Sequence, residues 1–491
     1  MTTYLGIDIG TSAVKVLLVD QHGSVLDSHS EAYGIDSPQP MWNEQNPDVW
    51  WHATCSSMHS LKARNTAAWQ GVAAIGLSGQ MHGAVCLDQQ GRPLRPAILW
   101  NDGRAFEQSQ TLNRQCPNIG HIAGVPAMPG FTAPKLLWLH EHEPELFQRI
   151  HKVILPKDYV RLQLTGTYYT DVSDAAGTLW LDEAKRDWDD DILQACYLKR
   201  SQMPQLIEGN ESSGSLLDNI AEELGLCADV IVVGGAGDAS AGGIGIGAIN
   251  EGDAFLSLGT SGQIFVAKEQ HTANPEAYIH AFAHALPKRW CHMACLLNGA
   301  SPLSWFASIT STPIATLLEE AEAHYNIHQT VYFLPYLTGE RTPHNNPFAT
   351  GTFDGLTAHT RRDDMAAAVL EGIAFSFRDC IEALNQSDRP LTALGAIGGG
   401  TKSTFWLQIL ADVLNVSIHK YQGSETGPAM GAARLAILGH TQQDIEAICA
   451  TPNIERTFVP NQSRHRVYLE KHAHFSKLYQ ALLPTYGHTT W

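Results

Sequence analysis

The chain carries the same short pattern twice, about half a chain length apart. Residues 4–20 read YLGIDIGTSAVKVLLVD, in which two apolar runs flank a turn of small residues at Gly10-Thr11-Ser12. Residues 254–267 read AFLSLGTSGQIFVA, with Gly259-Thr260-Ser261 in the place of that turn. Two apolar, β-branched runs around a small-residue turn are typical of a β-hairpin. A single repeat at this spacing predicts two similar domains that face each other.

Strand-like and helix-like segments alternate in the rest of the chain. Short apolar runs with glycines at their ends occupy 71–77, 229–235 and 392–400, and the last is followed by apolar residues at near-helical spacing. This alternation predicts α/β domains. A chain of 491 residues is too long for one core, because domains usually contain roughly 100–200 residues. We therefore predict two domains, 1–247 and 248–491.

Composition and charge exclude several classes of protein. A hydrophobic fraction of 44% with 17% charged residues is ordinary for a folded globular chain. The formal net charge of -18 argues against a nucleic-acid partner, which is bound through clustered Lys and Arg. Scattered cysteines, the absence of a signal-like start and the lack of a long apolar stretch predict a reduced, cytoplasmic protein with no membrane partner. We consider a homodimer as its assembly.

The first turn has the chemistry of a phosphate site. Gly10-Thr11-Ser12 offers backbone N–H groups and hydroxyls, with Lys15 close behind, and such concave arrays of donors suit phosphate oxygens. Asp8 precedes this turn, whereas Ser257 takes its place in the repeat. One Mg²⁺ site at Asp8 is therefore expected, because carboxylates hold this cation directly or through water. A lone turn would more often be a plain hairpin corner, but its duplication favours phosphate binding by Gly259-Thr260-Ser261 as well.

A glycine-rich segment supplies a third candidate contact with a nucleotide. GGGTKS at 398–403 follows a strand and opens a helix, so Gly399, Gly400 and Ser403 could receive an α-phosphate or a ribose at the positive end of that helix. Packing alone would explain the glycines equally well. Neither GxxxxGK[ST] nor GxGxxG occurs in the chain, so the nucleotide must be held in another way.

Asp238 is the candidate catalytic base. It lies in VVGGAGDASAGG, where a strand ends in glycines and a segment of small residues begins. An N-cap would explain an aspartate here about as well. In the catalytic interpretation its carboxylate accepts the proton of an attacking sugar hydroxyl, and the helix N-terminus keeps its pKa low.

A turn after the strand at 71–77 and a few residues near it are candidate sugar contacts. Gln80, Met81 and His82 combine an amide, an apolar surface and an imidazole, a mixture that suits a polyol. His82 alone would more often be an ordinary hydrogen-bonded histidine. The weaker candidates are Trp42, Asn101, Asp102 and Arg104, because sugars bind through apolar faces and planar polar side chains in a cleft.

Together these motifs resemble the FGGY carbohydrate kinases along nearly the whole chain. SGQMHG at 78–83 and WNDGR at 100–104 are similar to the pentulose-specific branch. The other similar segments are YLGIDIGTSAVK at 4–15, LRPAILWNDGRA at 94–105, MPGFTAPKLLW at 128–138, LPKDYVRLQLTG at 155–166, SLGTSG at 257–262, YLTGERTPHNNP at 336–347, GGGTKSTFWLQILADV at 398–413 and ETGPAMGAA at 425–433.

The resemblance implies a fold, a reaction and a division of labour. It implies two actin-like, ribonuclease-H-like α/β domains, the first on the sugar side and the second on the nucleotide side, with the active site in the cleft between them. It implies transfer of the γ-phosphoryl group of ATP, with Mg²⁺, to O5 of D-xylulose. By motif, Asp238 matches the base, Asp8 the metal-side aspartate and Met81-His82 the sugar turn. Thr260, Gly399, Gly400 and Ser403 match nucleotide-contacting positions.

One residue departs from the pattern of this branch. The branch usually carries Asn directly after the catalytic Asp, whereas this chain has Ala239. A sugar hydroxyl would then be left to water or to a neighbour such as Ser240. The departure keeps open a second reading, a kinase of the same family acting on another ketose, polyol or sugar acid. A third reading is a non-catalytic sugar or nucleotide sensor on the same scaffold, which would not need both Asp8 and Asp238.

Overall fold

The computed structural model describes residues 1–385, 389–423 and 427–487, and Glu425 and Thr426 of the ETGPAMGAA segment lie outside this part of the chain. Two seven-stranded sheets organise it, one from each half.

The first half supplies fifteen strands and eleven helices. The strands are β1 (Thr3–Ile9), β2 (Ala13–Asp20), β3 (Val25–Ala32), β4 (Glu44–Gln45), β5 (Val72–Gly79), β6 (Val85–Leu87), β7 (Ala97–Ile98), β8 (Lys152–Ile154), β9 (Tyr169–Asp171), β10 (Leu181–Asp182), β11 (Asp187–Trp188), β12 (Gln205–Ile207), β13 (Ser212–Ser215), β14 (Ile231–Val233) and β15 (Ala236–Gly237). The helices are α1 (Pro47–Arg64), α2 (Thr66–Trp69), α3 (Phe106–Gln115), α4 (Ile119–Ile122), α5 (Thr132–His142), α6 (Pro144–Phe147), α7 (Pro156–Thr165), α8 (Val172–Ala175), α9 (Asp190–Ala195), α10 (Asp218–Leu224) and α11 (Asp238–Ile246).

The described part of the second half supplies nine strands and seven helices. The strands are β16 (Ala254–Leu258), β17 (Gly262–Lys268), β18 (His280–Ala283), β19 (Trp290–Leu296), β20 (Tyr332–Leu334), β21 (Thr352–Asp354), β22 (Ala393–Ile397), β23 (Ser417–Tyr421) and β24 (Ile454–Phe458). The helices are α12 (Ser301–Ile309), α13 (Ile314–Ala323), α14 (Arg362–Asn385), α15 (Thr404–Leu414), α16 (Gly427–Thr441), α17 (Ile445–Ile448) and α18 (Gln462–Leu482).

The two main sheets share one plan, as the repeat predicts. The first has the order β13-β14-β5-β1-β2-β3, with β15 beside β5, and the second has the order β18-β19-β17-β16-β22-β23-β24. In each, the repeated pattern forms an antiparallel hairpin, β1–β2 or β16–β17, whose first strand also pairs in parallel with a later one, β5 or β22. The predicted hairpins and the two-domain α/β fold class are confirmed.

A helix of the second half packs directly on the sheet of the first. α16 contacts β1 and β5, and glycines in both strands let the backbones approach. A Cβ atom added at Gly6 would lie 2.0 Å from Ala429 O, and one at Gly76 would lie 1.8 Å from Ala432 O. Real side chains do not tolerate such distances, so this packing requires glycine at both positions. Among the described residues, no helix is long and apolar enough to cross a membrane.

Candidate functional site

Three of the predicted motifs meet at one edge of the first sheet. β1, β5 and β15 are parallel neighbours, and their carboxyl ends lie side by side because Asp8 pairs with Ser78 and Gly237 pairs with Gly79. Each strand then leads into a turn or helix that carries polar groups. In open α/β sheets the carboxyl ends of the strands are the usual place for ligands.

Asp8 lies near the carboxyl end of β1, and its side chain is partly exposed. Ser78 Oγ donates to Asp8 Oδ1 at 3.0 Å, and Lys15 is its cross-strand partner in the hairpin. Burial raises the pKa of Asp8 to about 6, although the Ser78 bond and the charge of Lys15 lower it. A partly exposed carboxylate offers hard oxygen ligands that a cation can reach.

Asp238 is the first residue of α11, and Gly237 is the N-cap. The alternative of an aspartate N-cap is therefore wrong in detail: Asp238 Oδ1 accepts from the next backbone N–H, that of Ala239, at 2.8 Å. The low pKa expected at a helix N-terminus is also wrong. Burial, and then the charge of Asp8, raise the pKa of Asp238 to about 7, and the backbone N–H groups offset only part of this. Desolvation of the carboxylate, with the nearby charge of Asp8 second, outweighs the helix terminus.

This raised pKa predicts a stability change on Asp238→Asn that depends on pH. The pKa of Asp238 is higher in the folded state than in the unfolded state, so ionising it destabilises the folded protein as the pH rises toward 7. The neutral amide avoids this penalty, and its stabilisation should be about 2 kcal/mol larger at pH 8 than at pH 5.5. Melting temperatures of ligand-free wild-type and variant protein at both pH values test this. An equal difference at the two pH values would contradict it.

The candidate sugar turn, residues 80–82, places His82 in an unusual backbone conformation. Its φ is 68°, and its carbonyl accepts from Thr132 Oγ1 at 3.1 Å and from Lys135 Nζ at 2.9 Å. The ring Nδ1 lies 2.7 Å from Gly177 O, an acceptor, so Nδ1 carries the proton of the neutral ring. Burial, and then the charge of Arg341, lower the pKa of His82 well below its ordinary value. The ring therefore stays neutral and keeps Nε2 as an acceptor.

Glutamine side chains join the candidate sugar turn to the first candidate phosphate turn, Gly10-Thr11-Ser12. Gln80 Nε2 donates to Gln45 Oε1 at 3.0 Å, and Gln45 Nε2 donates to Thr11 O at 2.7 Å. Thr11 Oγ1 also accepts from Trp100 Nε1 at 3.0 Å. Movement of either turn is therefore coupled to the other. Gln45 has no obvious mark in the sequence, and Trp100 lies in the WNDGR motif but was not predicted to bind the phosphate turn, because the partners of both are distant along the chain.

Three of the four weaker sugar candidates contact one another, because Arg104 pairs with Asp102 and packs on Trp42. The side chain of Arg104 is 1% exposed and pairs with Asp102 Oδ2 and with Glu44 Oε1, both at 2.7 Å. Asp102 Oδ2 also accepts from Asn43 N at 2.7 Å, and the Arg104 guanidinium lies 3.7 Å from the centroid of the Trp42 ring.

Asn101, in contrast, is exposed. Asn101 is therefore freer for ligand contact than Asp102 or Arg104.

The nucleotide candidates also lie together, at the matching edge of the second sheet. Ser257 of β16 pairs with Ile397 of β22, so the Gly259-Thr260-Ser261 turn and the 398–403 segment follow neighbouring parallel strands. Gly398 has φ 97°, and a Cβ there would lie 2.7 Å from Leu258 O, so only glycine fits this approach.

The rest of the 398–403 segment leads into α15 as predicted. Gly399 and Gly400 belong to a 3₁₀ turn, Gly399–Lys402. Ser403 then caps α15, its Oγ accepting from Trp406 N at 3.2 Å. The predicted strand, glycine turn and helix are confirmed.

The sequence reasoning missed a group from the second half that faces the sugar turn. Arg341 Nη2 donates to Trp100 O at 3.3 Å, and its guanidinium lies 6.0 Å from the centroid of the Phe131 ring. His280 is buried beside Phe131, and its pKa is lowered to about 3 by burial and then by Arg341. The YLTGERTPHNNP segment carries Arg341, but no spacing rule connects it with His82.

Comparisons with known proteins agree with this arrangement. The N-terminal and C-terminal domain models of the FGGY family of carbohydrate kinases match residues 3–245 and 254–440. The xylulose kinase of Escherichia coli strain K12 is 45% identical over 98% of this chain and 99% of its own. A solved xylulose kinase structure from Brucella ovis has a TM-score of 0.93 at 43% identity, covering 98% of this chain and 99% of its own.

A gluconate kinase structure from Lactobacillus acidophilus has a TM-score of 0.91 at 28% identity, covering 98% of each chain. A shared fold therefore accommodates more than one named sugar substrate. Both domain models match in order, and full-length relatives agree with them, so the chain belongs to the FGGY family of carbohydrate kinases.

Proposed function

We propose that this carbohydrate kinase transfers the γ-phosphoryl group of ATP to O5 of D-xylulose. The observation that carries the proposal is the placement of Asp8 and Asp238 at the carboxyl ends of β1 and β15, the two strands that pair with β5, close enough for the charge of Asp8 to help raise the pKa of Asp238. A kinase needs a carboxylate for the cation and one for the hydroxyl, in one cleft. The identity to xylulose kinases over nearly the whole chain supports D-xylulose as the sugar.

In the proposed reaction, Asp238 orients and deprotonates the sugar hydroxyl. Its Oδ1 is engaged by Ala239 N, which leaves Oδ2 for the proton. The sugar O5 forms a bond to the γ-phosphorus while the bond from that phosphorus to the β-bridging oxygen breaks, and ADP leaves. A pKa of about 7 suits this proton transfer near neutral pH, because much of the carboxylate is then ionised and its basicity is high.

Asp8 fits the role of holding Mg²⁺. Its carboxylate is a hard oxygen donor, and its charge adds to the raised pKa of Asp238, so a bound cation would relieve an unfavourable interaction between the two carboxylates. When bound, Mg²⁺ would neutralise charge on the transferring phosphoryl group. The turns at Gly10-Thr11-Ser12, followed by Lys15, and at Gly259-Thr260-Ser261 would donate to the phosphates, and the Gly399, Gly400 and Ser403 segment would hold the rest of the nucleotide.

Selectivity for a pentulose would come from the sugar turn. Met81 supplies an apolar surface, and neutral His82 offers Nε2 to a hydroxyl. The gluconate kinase with the same fold makes a sugar acid the specific alternative. An ADP-release assay with D-xylulose, D-ribulose, L-ribulose, glycerol and gluconate tests the choice. We expect the highest kcat/KM for D-xylulose, and a preference for any other sugar would defeat the proposal while leaving the family assignment in place.

Ala239 gives a further prediction for the sugar. Ser240 does not freely replace the missing amide, because its Oγ accepts from Ala285 N at 3.0 Å. Restoring the amide with Ala239→Asn should add one neutral hydrogen bond, about 0.5–1.5 kcal/mol, and lower the KM for D-xylulose roughly threefold to tenfold. The KM for ATP should stay unchanged. Steady-state kinetics of both proteins measure this, and a higher KM for D-xylulose in the variant would point to a different substrate.

We expect domains 1–247 and 248–491 to close on the sugar and the nucleotide. We also expect the protein to work in the cytoplasm, because its nine free thiols suit a reducing compartment.

We consider a homodimer as the assembly. Light scattering coupled to size-exclusion chromatography would measure its mass in solution.

A further inference from the structure

A network of charged side chains is buried behind the candidate site in the first half. Lys157 Nζ lies 2.7 Å from Asp158 Oδ1, 2.8 Å from Asp171 Oδ2 and 3.0 Å from Asp174 Oδ2, and all four side chains are at most 1% exposed. Arg161, with a fully buried side chain, adds a second cation 3.6 Å from Asp158 Oδ1.

Such a network is a poor way to stabilise a fold. Removing several charges from water is costly, and well-packed apolar residues often stabilise as much or more. Burial raises the pKa of Asp174 well above its ordinary value, although the charge of Lys157 opposes this shift. Hydrogen bonds from this network instead position the backbone that precedes Asp238.

The network holds the backbone that leads into Asp238 at two points. Arg161 Nη1 donates to Val233 O at 2.6 Å, at the end of β14. Four residues later, Gly237 N donates to Ser173 Oγ at 3.1 Å. The segment between β14 and α11 is therefore held at both ends by groups of one buried cluster.

Ser173 is the direct link between the charges and the candidate base. Its Oγ donates to Asp171 Oδ1 at 2.5 Å while accepting from Gly237 N. Asp171 Oδ2 is in turn held by Lys157. A chain of polar contacts thus runs from Lys157 through Asp171 and Ser173 to the peptide that precedes Asp238.

The same peptide also touches the sugar turn. A Cβ added at Gly237 would lie 2.9 Å from Met81 Cγ, and one at Gly79 would lie 3.0 Å from Lys157 Cβ. A shift of Gly237 would therefore move the candidate base relative to the sugar turn. Misplacement by about 1 Å can lower a rate about a hundredfold.

We propose that Ser173 is a positioning residue, which together with Asp171 and Lys157 fixes the Gly237 peptide so that the Asp238 carboxylate faces the sugar hydroxyl. The inference rests on the proposed role of Asp238. Ser173 itself lies behind the site and need not touch substrate.

Ser173→Ala tests this link by removing the acceptor for Gly237 N. We expect kcat for D-xylulose to fall roughly tenfold to a hundredfold, with KM values for ATP and sugar within about threefold of wild type, as for a loss felt mainly in the transition state. Ser173→Thr, which keeps the hydroxyl, should recover most of kcat. Ser376→Ala is the matched control, because it deletes another buried hydroxyl, bonded to Gly372 O at 3.2 Å in α14.

The decisive readout is the effect of Ser173→Ala in an Asp238→Asn background. If Ser173 acts through Asp238, its removal should have little further effect on the residual rate once the base is gone. Equal losses in both backgrounds, a kcat near wild type in Ser173→Ala, or no recovery in a folded Ser173→Thr would overturn the inference. A fast Asp238→Asn enzyme would instead defeat the role of the base, so the two failures are distinguishable.

Discussion

Asp238→Asn should bind D-xylulose and ATP but lose turnover by about 10²–10⁴-fold, the usual contribution of a general base. The amide keeps the shape of the carboxylate and can still accept from Ala239 N, which bonds Asp238 Oδ1 at 2.8 Å. It cannot accept the hydroxyl proton. Coupled-assay kinetics with calorimetric binding of both substrates separate turnover from affinity.

Asp444→Asn is the matched control for this substitution. Asp444 is the N-cap of α17, and its Oδ2 accepts from Ala447 N at 3.2 Å. It lies at a helix start, as Asp238 does, but outside the candidate site, so its rate should match wild type. An Asp238→Asn enzyme with more than about a tenth of the wild-type rate would be incompatible with a general base.

Asp8→Ala should weaken the dependence on Mg²⁺ and the rate together. Loss of an outer-shell partner of a metal ligand commonly lowers metal affinity about 10–100-fold, and loss of a carboxylate that holds the metal should raise the Mg²⁺ concentration for half-maximal rate by at least as much. Ser78 would also lose the acceptor that it bonds at 3.0 Å. Initial rates across a Mg²⁺ titration at saturating ATP and sugar measure the effect.

Ser257→Ala provides the comparison within the same molecule. Ser257 occupies the position of Asp8 in the second copy of the repeat and carries no charge. Its titration with Mg²⁺ should follow that of wild type. An unchanged Mg²⁺ titration in Asp8→Ala would remove Asp8 from the metal site.

The fold was predictable because its strongest signals are local. The repeated hairpin appears in the sequence as two apolar runs around small residues, and β1–β2 and β16–β17 form as expected. The glycine segment at 398–403 likewise predicts the start of α15, and its last residue, Ser403, is the N-cap of that helix. Turn chemistry and apolar periodicity depend on neighbours in the chain, so one sequence is enough to predict them.

The electrostatics of the site were not predictable in the same way. A helix N-terminus lowers the pKa of an aspartate, and this local rule fails for Asp238 because burial and Asp8 dominate. Asp8 lies 230 positions away in the numbering, and strand pairing brings the two together. Burial and nonlocal charge are properties of the folded chain.

Residues that support the site were missed for the same reason. Lys157 lies in the family-like segment 155–166, to which no role was assigned, and Ser173 lies in no quoted motif. The bond between Ser173 and Gly237 spans 64 positions of the chain. Asp102 and Arg104, in contrast, were predicted as sugar contacts. Their residue types suit a sugar pocket, but in the folded chain they are bonded to each other.

The most direct test of the central claim is to identify the product formed from D-xylulose and ATP. Phosphorus and carbon NMR of the reaction mixture should show one new phosphate ester coupled to C5, with ADP formed in equal amount and no product without ATP. Phosphate on another carbon, or no ester from D-xylulose while another sugar in the panel is phosphorylated, would contradict the proposed function.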